Sequence, residues 1–148
     1  IAMRQAGEEH EPLYDGAAKL LETLNKDGWT LGVATGKSRR GLDAVINREG
    51  WSDVFACSFC ADDGPGKPHP HMVLENLRAA NVPASHAVII GDTHFDMAMG
   101  KSAGVHAIGV DWGFHTASEI QTGGADVMIS TMAELYAALG QFKTKLAI

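Results

Sequence analysis

Ala87-Val88-Ile89-Ile90-Gly91-Asp92-Thr93 is the stretch whose reading decides the fold. Four apolar residues in a row, two of them isoleucine, describe a strand covered on both faces, as parallel strands are. Gly91-Asp92 ends it, and a helical pattern over Phe95 to Ala103 follows at once. The same alternation extends both ways along the chain. Upstream, Trp29 to Thr35 reads as a strand, Ser38 to Glu49 as a helix with Leu42, Val45 and Ile46 on one face, Val54 to Phe59 as a second strand and Pro70 to Ala80 as a helix. Downstream come strands at His106 to Val110 and Asp126 to Ile129 and a last helix from Met132 to Phe142. Asp15-Gly16 opens a helix that carries Leu20, Leu21 and Leu24 on one face. Strands alternating with helices give right-handed crossovers and an α/β, Rossmann-like doubly wound parallel sheet.

At 148 residues with 45% apolar side chains, the chain holds one core. A domain of this size buries about 68–70% of its unfolded surface and needs no staples. Twelve basic against eighteen acidic residues leave a net charge of −6, which argues against nucleic acid and against a polybasic membrane contact. No apolar run reaches the ~18 residues of a membrane span. Two cysteines make no disulfide framework, so a cytoplasmic setting is expected. Cys57 and Cys60 lie three apart on a strand, where they face opposite sides; buried or half-buried thiols are expected rather than a zinc site. Ile1 in place of Met points to a start inside a longer protein. No long apolar patch or heptad pattern indicates an oligomeric state.

Open parallel sheets bind ligands beyond the carboxyl ends of their strands. Those ends carry Thr35-Gly36-Lys37-Ser38, the loop with Lys67, Gly91-Asp92 with Asp96, and Asp111-Trp112-Gly113. A hydroxyl, a cation and paired carboxylates on one rim suit a phosphate with a hard divalent metal. Asp92 and Asp96, four residues apart at a helix start, can point at a shared cation. The plainer alternative for Asp92 is a helix N-cap. For Thr35 it is a turn capping the next helix, and for Lys67 a solvated loop lysine. Gly36-Lys37-Ser38 also brings to mind a nucleotide-binding loop, G-x-x-x-x-G-K-[ST], but its first glycine would fall on Leu31, and a kinase using Lys37 is disfavoured. A phospho-receiver domain is excluded by order, since Thr35 and Lys67 precede Asp92.

Taken together, Val33-Ala34-Thr35-Gly36, Gly66-Lys67-Pro68-His69-Pro70 and Ile89-Ile90-Gly91-Asp92-Thr93 with Asp96 resemble the second, third and fourth motifs of the haloacid-dehalogenase-like (HAD) hydrolases. Ser102-Ala103-Gly104-Val105 and Trp112-Gly113 resemble the phosphoglycolate-phosphatase-like branch. The resemblance implies a Mg²⁺-dependent phosphomonoester hydrolase of a small phosphorylated metabolite, working through an aspartyl-phosphate. It makes Thr35 and Gly36 the phosphoryl binders and Lys67 the neutralising cation. Asp92 becomes the metal ligand, and Asp96 the support of the metal shell or of Lys67. The family's first motif, D-x-D-G-T, has no counterpart, because no D-x-D occurs in the chain. Residues 1–12 then read as the tail of a cap segment and residues 13–148 as the core domain. The first strand, which would bear the nucleophile, is missing from its central place between the Leu31 and Ala87 strands. An open gap there would leave backbone groups unpaired, so the isolated chain is expected to be unstable or inactive. The alternative is a non-catalytic phosphate- or partner-binding module of the same fold.

Overall fold

The computed structural model describes residues 16–112, 116–141 and 146–148. The expected cap tail, residues 1–12, lies outside them, as do Gly113 and Phe142. Helix α1 (Ala17–Lys26) leads into strand β1 (Thr30–Ala34), followed by α2 (Arg39–Glu49) and β2 (Phe55–Phe59). A short 3-10 turn at Ala61–Asp63 precedes α3 (His71–Ala80), and another at Ala84–His86 precedes β3 (Ala87–Gly91). Then come α4 (His94–Ala103), β4 (His106–Val110), α5 (Ala117–Thr122), β5 (Val127–Ile129), α6 (Met132–Leu139) and β6 (Leu146–Ala147). The six strands form one sheet in the order β2-β1-β6-β3-β4-β5, and every described pairing is parallel. This is the doubly wound α/β sheet that the alternation implies.

Both faces of the sheet are covered, and the strand alternation divides the side chains between them. Val88 and Ile90 join Leu20, Leu24, Leu42 and Leu135 in a core beneath α1, α2 and α6. Ala87 and Ile89 join Met72, Met97, Met99 and Ile120 beneath α3, α4 and α5. That two-sided burial is why the third strand reads as a continuous apolar run. Trp51 is buried in the first core and Trp29 packs against it. Asn76 of α3 is a fully buried polar residue that ties the helix to the sheet. Its Nδ2 donates to the carbonyls of Val33 at 3.0 Å and Met72 at 2.8 Å. The Cys57 thiol donates to its Oδ1 at 3.1 Å. Gly32 makes this approach feasible, since a Cβ there would collide with Asn76 Oδ1.

The sheet departs from expectation at its centre. The place expected to lie open between β1 and β3 is occupied by β6, with Leu146 beside Thr30 and Ala87, and Ala147 beside Leu31 and Val88. Ile148 continues the pairing, donating to Val88 O and accepting from Ile90 N–H, both at 2.9 Å. The gap that grounded the expected instability is therefore filled. Two elements were not foreseen, α5 and β6, and the last helix stops at Leu139. The aliphatic density of the strands fixed β1 to β5; three residues after Lys-Thr-Lys carry no such periodic signal.

Candidate active site

Thr35 follows β1, and its buried hydroxyl accepts a hydrogen bond from Lys37 N–H at 3.2 Å. Thr35 N–H itself donates to Phe59 O at 3.1 Å, fixing the turn against β2. The cap of α2 is Ser38, whose side chain accepts from Gly41 N–H, so Thr35 is not the capping residue. Asp92 follows β3 and is buried; the N-cap of α4 is Thr93, which removes the capping explanation for Asp92. With β6 between their strands, Thr35 and Asp92 stand on either side of a place about two strand spacings, roughly 10 Å, across.

Lys67 reaches this rim from the loop after β2. That loop is anchored by its acids. Asp62 accepts from Arg39 N–H at 2.7 Å, and one oxygen of Asp63 accepts from the Arg39 guanidinium at 2.8 Å and from Cys60 N–H at 2.7 Å. Burial works against the Asp63 carboxylate, yet the Cys60 hydrogen bonds and the Arg39 charge hold its pKa below the ordinary value. His71 Nε2 lies 3.1 Å from the Asp63 carbonyl and closes the other side. The Lys67–Pro68 peptide bond is cis.

From this loop Lys67 Nζ reaches Asp96 Oδ1 at 2.5 Å, with the lysine side chain 11% exposed and the aspartate fully buried. The second oxygen of Asp96 accepts from Thr93 Oγ1 at 3.0 Å and from Thr93 N–H at 3.3 Å, while Thr93 Oγ1 accepts from Asp96 N–H. Both carboxylate oxygens are thus committed. Asp96 turns to Lys67 and to its own helix start. Thr93 is the participant that spacing alone did not single out, although Thr93-x-x-Asp96 carries the signature of a capping box. Gly91 permits the approach, because a Cβ there would lie inside contact distance of Asp96 Cβ.

For a magnesium ion the chain offers Asp92. Magnesium uses one or two carboxylates and completes its shell with phosphate oxygens and water. Among the described residues no group of three or more His, Cys, Asp or Glu side chains forms a metal cluster. Asp92 fits as one ligand of an incomplete set. Cys57 and Cys60 are free thiols on opposite sides of the sheet, one against Asn76 and one in the core under α2. Burial raises both thiol pKa values, as inert structural cysteines require. No helix among the described residues is long and apolar enough to cross a membrane.

The chain as a whole has relatives among known proteins. The sequence profile of the haloacid dehalogenase-like hydrolases matches residues 2–110. The chain belongs to this family. It is 33% identical over 127 residues to "Probable phosphatase IndB" of Dickeya dadantii (strain 3937), covering 85% of this chain and 55% of that protein. It is 29% identical over 133 residues to "Pyrophosphatase PpaX" of Anoxybacillus flavithermus (strain DSM 21510 / WK1), covering 89% of this chain and 60% of that one. A crystal structure named "putative phosphoglycolate phosphatase", from Lactobacillus delbrueckii subsp. bulgaricus ATCC BAA-365, superposes with a TM-score of 0.79 at 26% identity. That superposition covers 86% of this chain and 53% of the other. The chain therefore spans a little over half the length of these haloacid dehalogenase-like relatives.

Proposed function

We propose that the chain is the core of a Mg²⁺-dependent phosphomonoester hydrolase acting on a small phosphorylated metabolite in the cytoplasm, without nucleic-acid or membrane partners. Residues 1–12 belong to its cap segment and residues 13–148 to the core. The observation that carries the reading is the buried Lys67–Asp96 pair at the carboxyl ends of the strands. A lysine taken this far out of water has a purpose when a second anion comes to meet it.

In this reading Lys67 neutralises the phosphoryl oxygens and the acid that attacks them. Asp96 keeps the ammonium aimed while remaining outside the reaction. Thr35 Oγ1, which accepts from Lys37 N–H, and the backbone of Gly36 bind the phosphoryl oxygens. Asp92 ligates Mg²⁺, which when bound would withdraw charge from the phosphoryl group. The similarity to proteins named phosphatase and pyrophosphatase supports phosphate ester or anhydride chemistry, and the phosphoglycolate-phosphatase-like neighbour supports a small organic phosphate.

A second reading, a phosphate-binding module without hydrolysis, is favoured by β6. The central position between the strands that lead to Thr35 and Asp92 holds Leu146 and Ala147, paired with Thr30–Leu31 and Ala87–Val88, and neither can act as a nucleophile. One substitution separates the two readings. In the full-length protein, Asp92→Asn lowers Mg²⁺-dependent hydrolysis of p-nitrophenyl phosphate by about 100-fold or more if the enzyme reading holds. No Mg²⁺-dependent turnover in the parent, with phosphate binding retained in both proteins, leaves the binding module.

A further inference from the structure

We infer that Arg39 is a positioning residue of the site, a clamp that holds the loop carrying Lys67 against the turn carrying Thr35. What the clamp serves depends on the hydrolase reading; the clamp itself depends on geometry alone. Residues 61–66 are each exposed, and none of them belongs to either hydrophobic core. A Cβ at Gly66 would meet nothing within 4 Å. Yet this loop delivers Lys67 to a place where its side chain is 11% exposed. Core packing does not set the path of such a segment, so its hydrogen bonds do.

Those bonds converge on one residue. The Arg39 guanidinium donates through Nη1 to Ser58 Oγ at 2.8 Å, and through Nη2 to Ser58 O at 2.9 Å and Asp63 Oδ2 at 2.8 Å. Its backbone N–H donates to Asp62 Oδ2 at 2.7 Å. Alongside, Ala61 N–H donates to Lys37 O at 3.0 Å. Strand β2 is at the edge of the sheet, and its Phe59 carbonyl accepts from Thr35 N–H. The Ser58 carbonyl therefore points away from β1, where the guanidinium meets it. One planar fork thus joins the start of α2, the end of β2 and Asp63. Only Gly64, Pro65 and Gly66 separate Asp63 from Lys67. A lysine at position 39 would carry the charge without the fork. Asp96 fixes where the Lys67 ammonium ends, and Arg39 fixes the backbone it starts from. Arg39 acts through Lys67.

Two measurements on the full-length protein test this. The first reads the clamp without activity, by acetic anhydride labelling of Lys67 followed by mass spectrometry. In folded Arg39→Met, Lys67 is acetylated at least about tenfold faster than in the parent, because a released loop opens without global unfolding. Arg40→Met removes the same charge one residue on and leaves the Lys67 rate at the parent's. An unchanged rate in Arg39→Met, or an equal rise in Arg40→Met, overturns the proposal. The second measurement reads the consequence, with Mg²⁺ and p-nitrophenyl phosphate. Arg39→Met and Asp63→Ala each lower kcat at least about tenfold, and the double variant is no worse than the poorer single, as two ends of one contact require. Losses that multiply, or single variants that keep the parent's kcat, end the idea. A parent without turnover defeats the hydrolase reading instead, and the labelling rates then decide the clamp. If Arg39→Met does not fold, Asp63→Ala takes its place in the labelling.

Discussion

Lys67 and Asp96 are each other's counter-charge in a place that water hardly reaches. Removing one partner of such a pair strands the other, at a cost of about 3–5 kcal/mol, whereas replacing both by apolar groups costs less. Asp96→Ala is therefore expected to lower the unfolding free energy by about that amount, and Lys67→Met combined with Asp96→Leu by less than Asp96→Ala alone. Urea titrations of the three proteins measure it; a double variant as unstable as the sum of its parts would mean the pair is not coupled. Of this site, Thr35, Lys67, Asp92 and Asp96 were legible because each sits at a strand end or just beyond one in a parallel sheet. The inward turn of Asp96 was not, because a four-residue spacing says which acids are neighbours and nothing of the lysine arriving from another loop. Nor did the spacing reveal Arg39 as the anchor of that loop through Asp62 and Asp63.

Asp126, just ahead of β5, joins three elements. Its carboxylate accepts from Lys101 Nζ of α4 at 2.9 Å and from Ala107 N–H of β4 at 2.8 Å. Burial opposes the charge, but the Lys101 hydrogen bond, the Ala107 N–H and the charge of Lys101 together hold its pKa below the ordinary 3.8. With the folded value depressed, the unfolded chain binds the proton first as pH falls. The stabilisation is present above about 3.8 and is lost as pH falls through the lower folded value. Asp126→Asn should cost about 1 kcal/mol at pH 7, a modest figure because the pair is partly exposed and screened. The difference from the parent should shrink between pH 5 and pH 2 in denaturation series; a pH-independent difference would remove the carboxylate from the account. Elements with dense Val and Ile or clear helical faces were readable. Helix α5 has six residues, too few for a periodic face, and its signal was the capping box Thr116-x-x-Glu119.

Across the whole molecule, β6 touches both cores, Leu146 and Ile148 on one side and Ala147 on the other. Leu146→Ala is expected to cost about 2–4 kcal/mol by thermal or urea unfolding. Adding Ile148→Ala should cost less than it would alone, since the total cannot exceed the free energy of detaching the strand. Full additivity would say that β6 never detaches short of unfolding. The position of β6 was illegible for a physical reason: it is set by the shape left between two strands, not by any pattern within three residues.

One consequence concerns the order in which contacts become available during synthesis. Strands β1 and β2 pair with each other, and β3, β4 and β5 pair among themselves, using only residues before 130. The strand that joins the two groups comes from residues 146–148, made after all of them. A ribosome therefore releases two half-sheets bridged by α3 before it releases the piece that seams them. The loops that this seam closes are the longest in the fold, and long loops are the slowest to close. Until that last pairing, the inner edges of β1 and β3 are the surfaces on which a nascent chain can recruit the wrong strand.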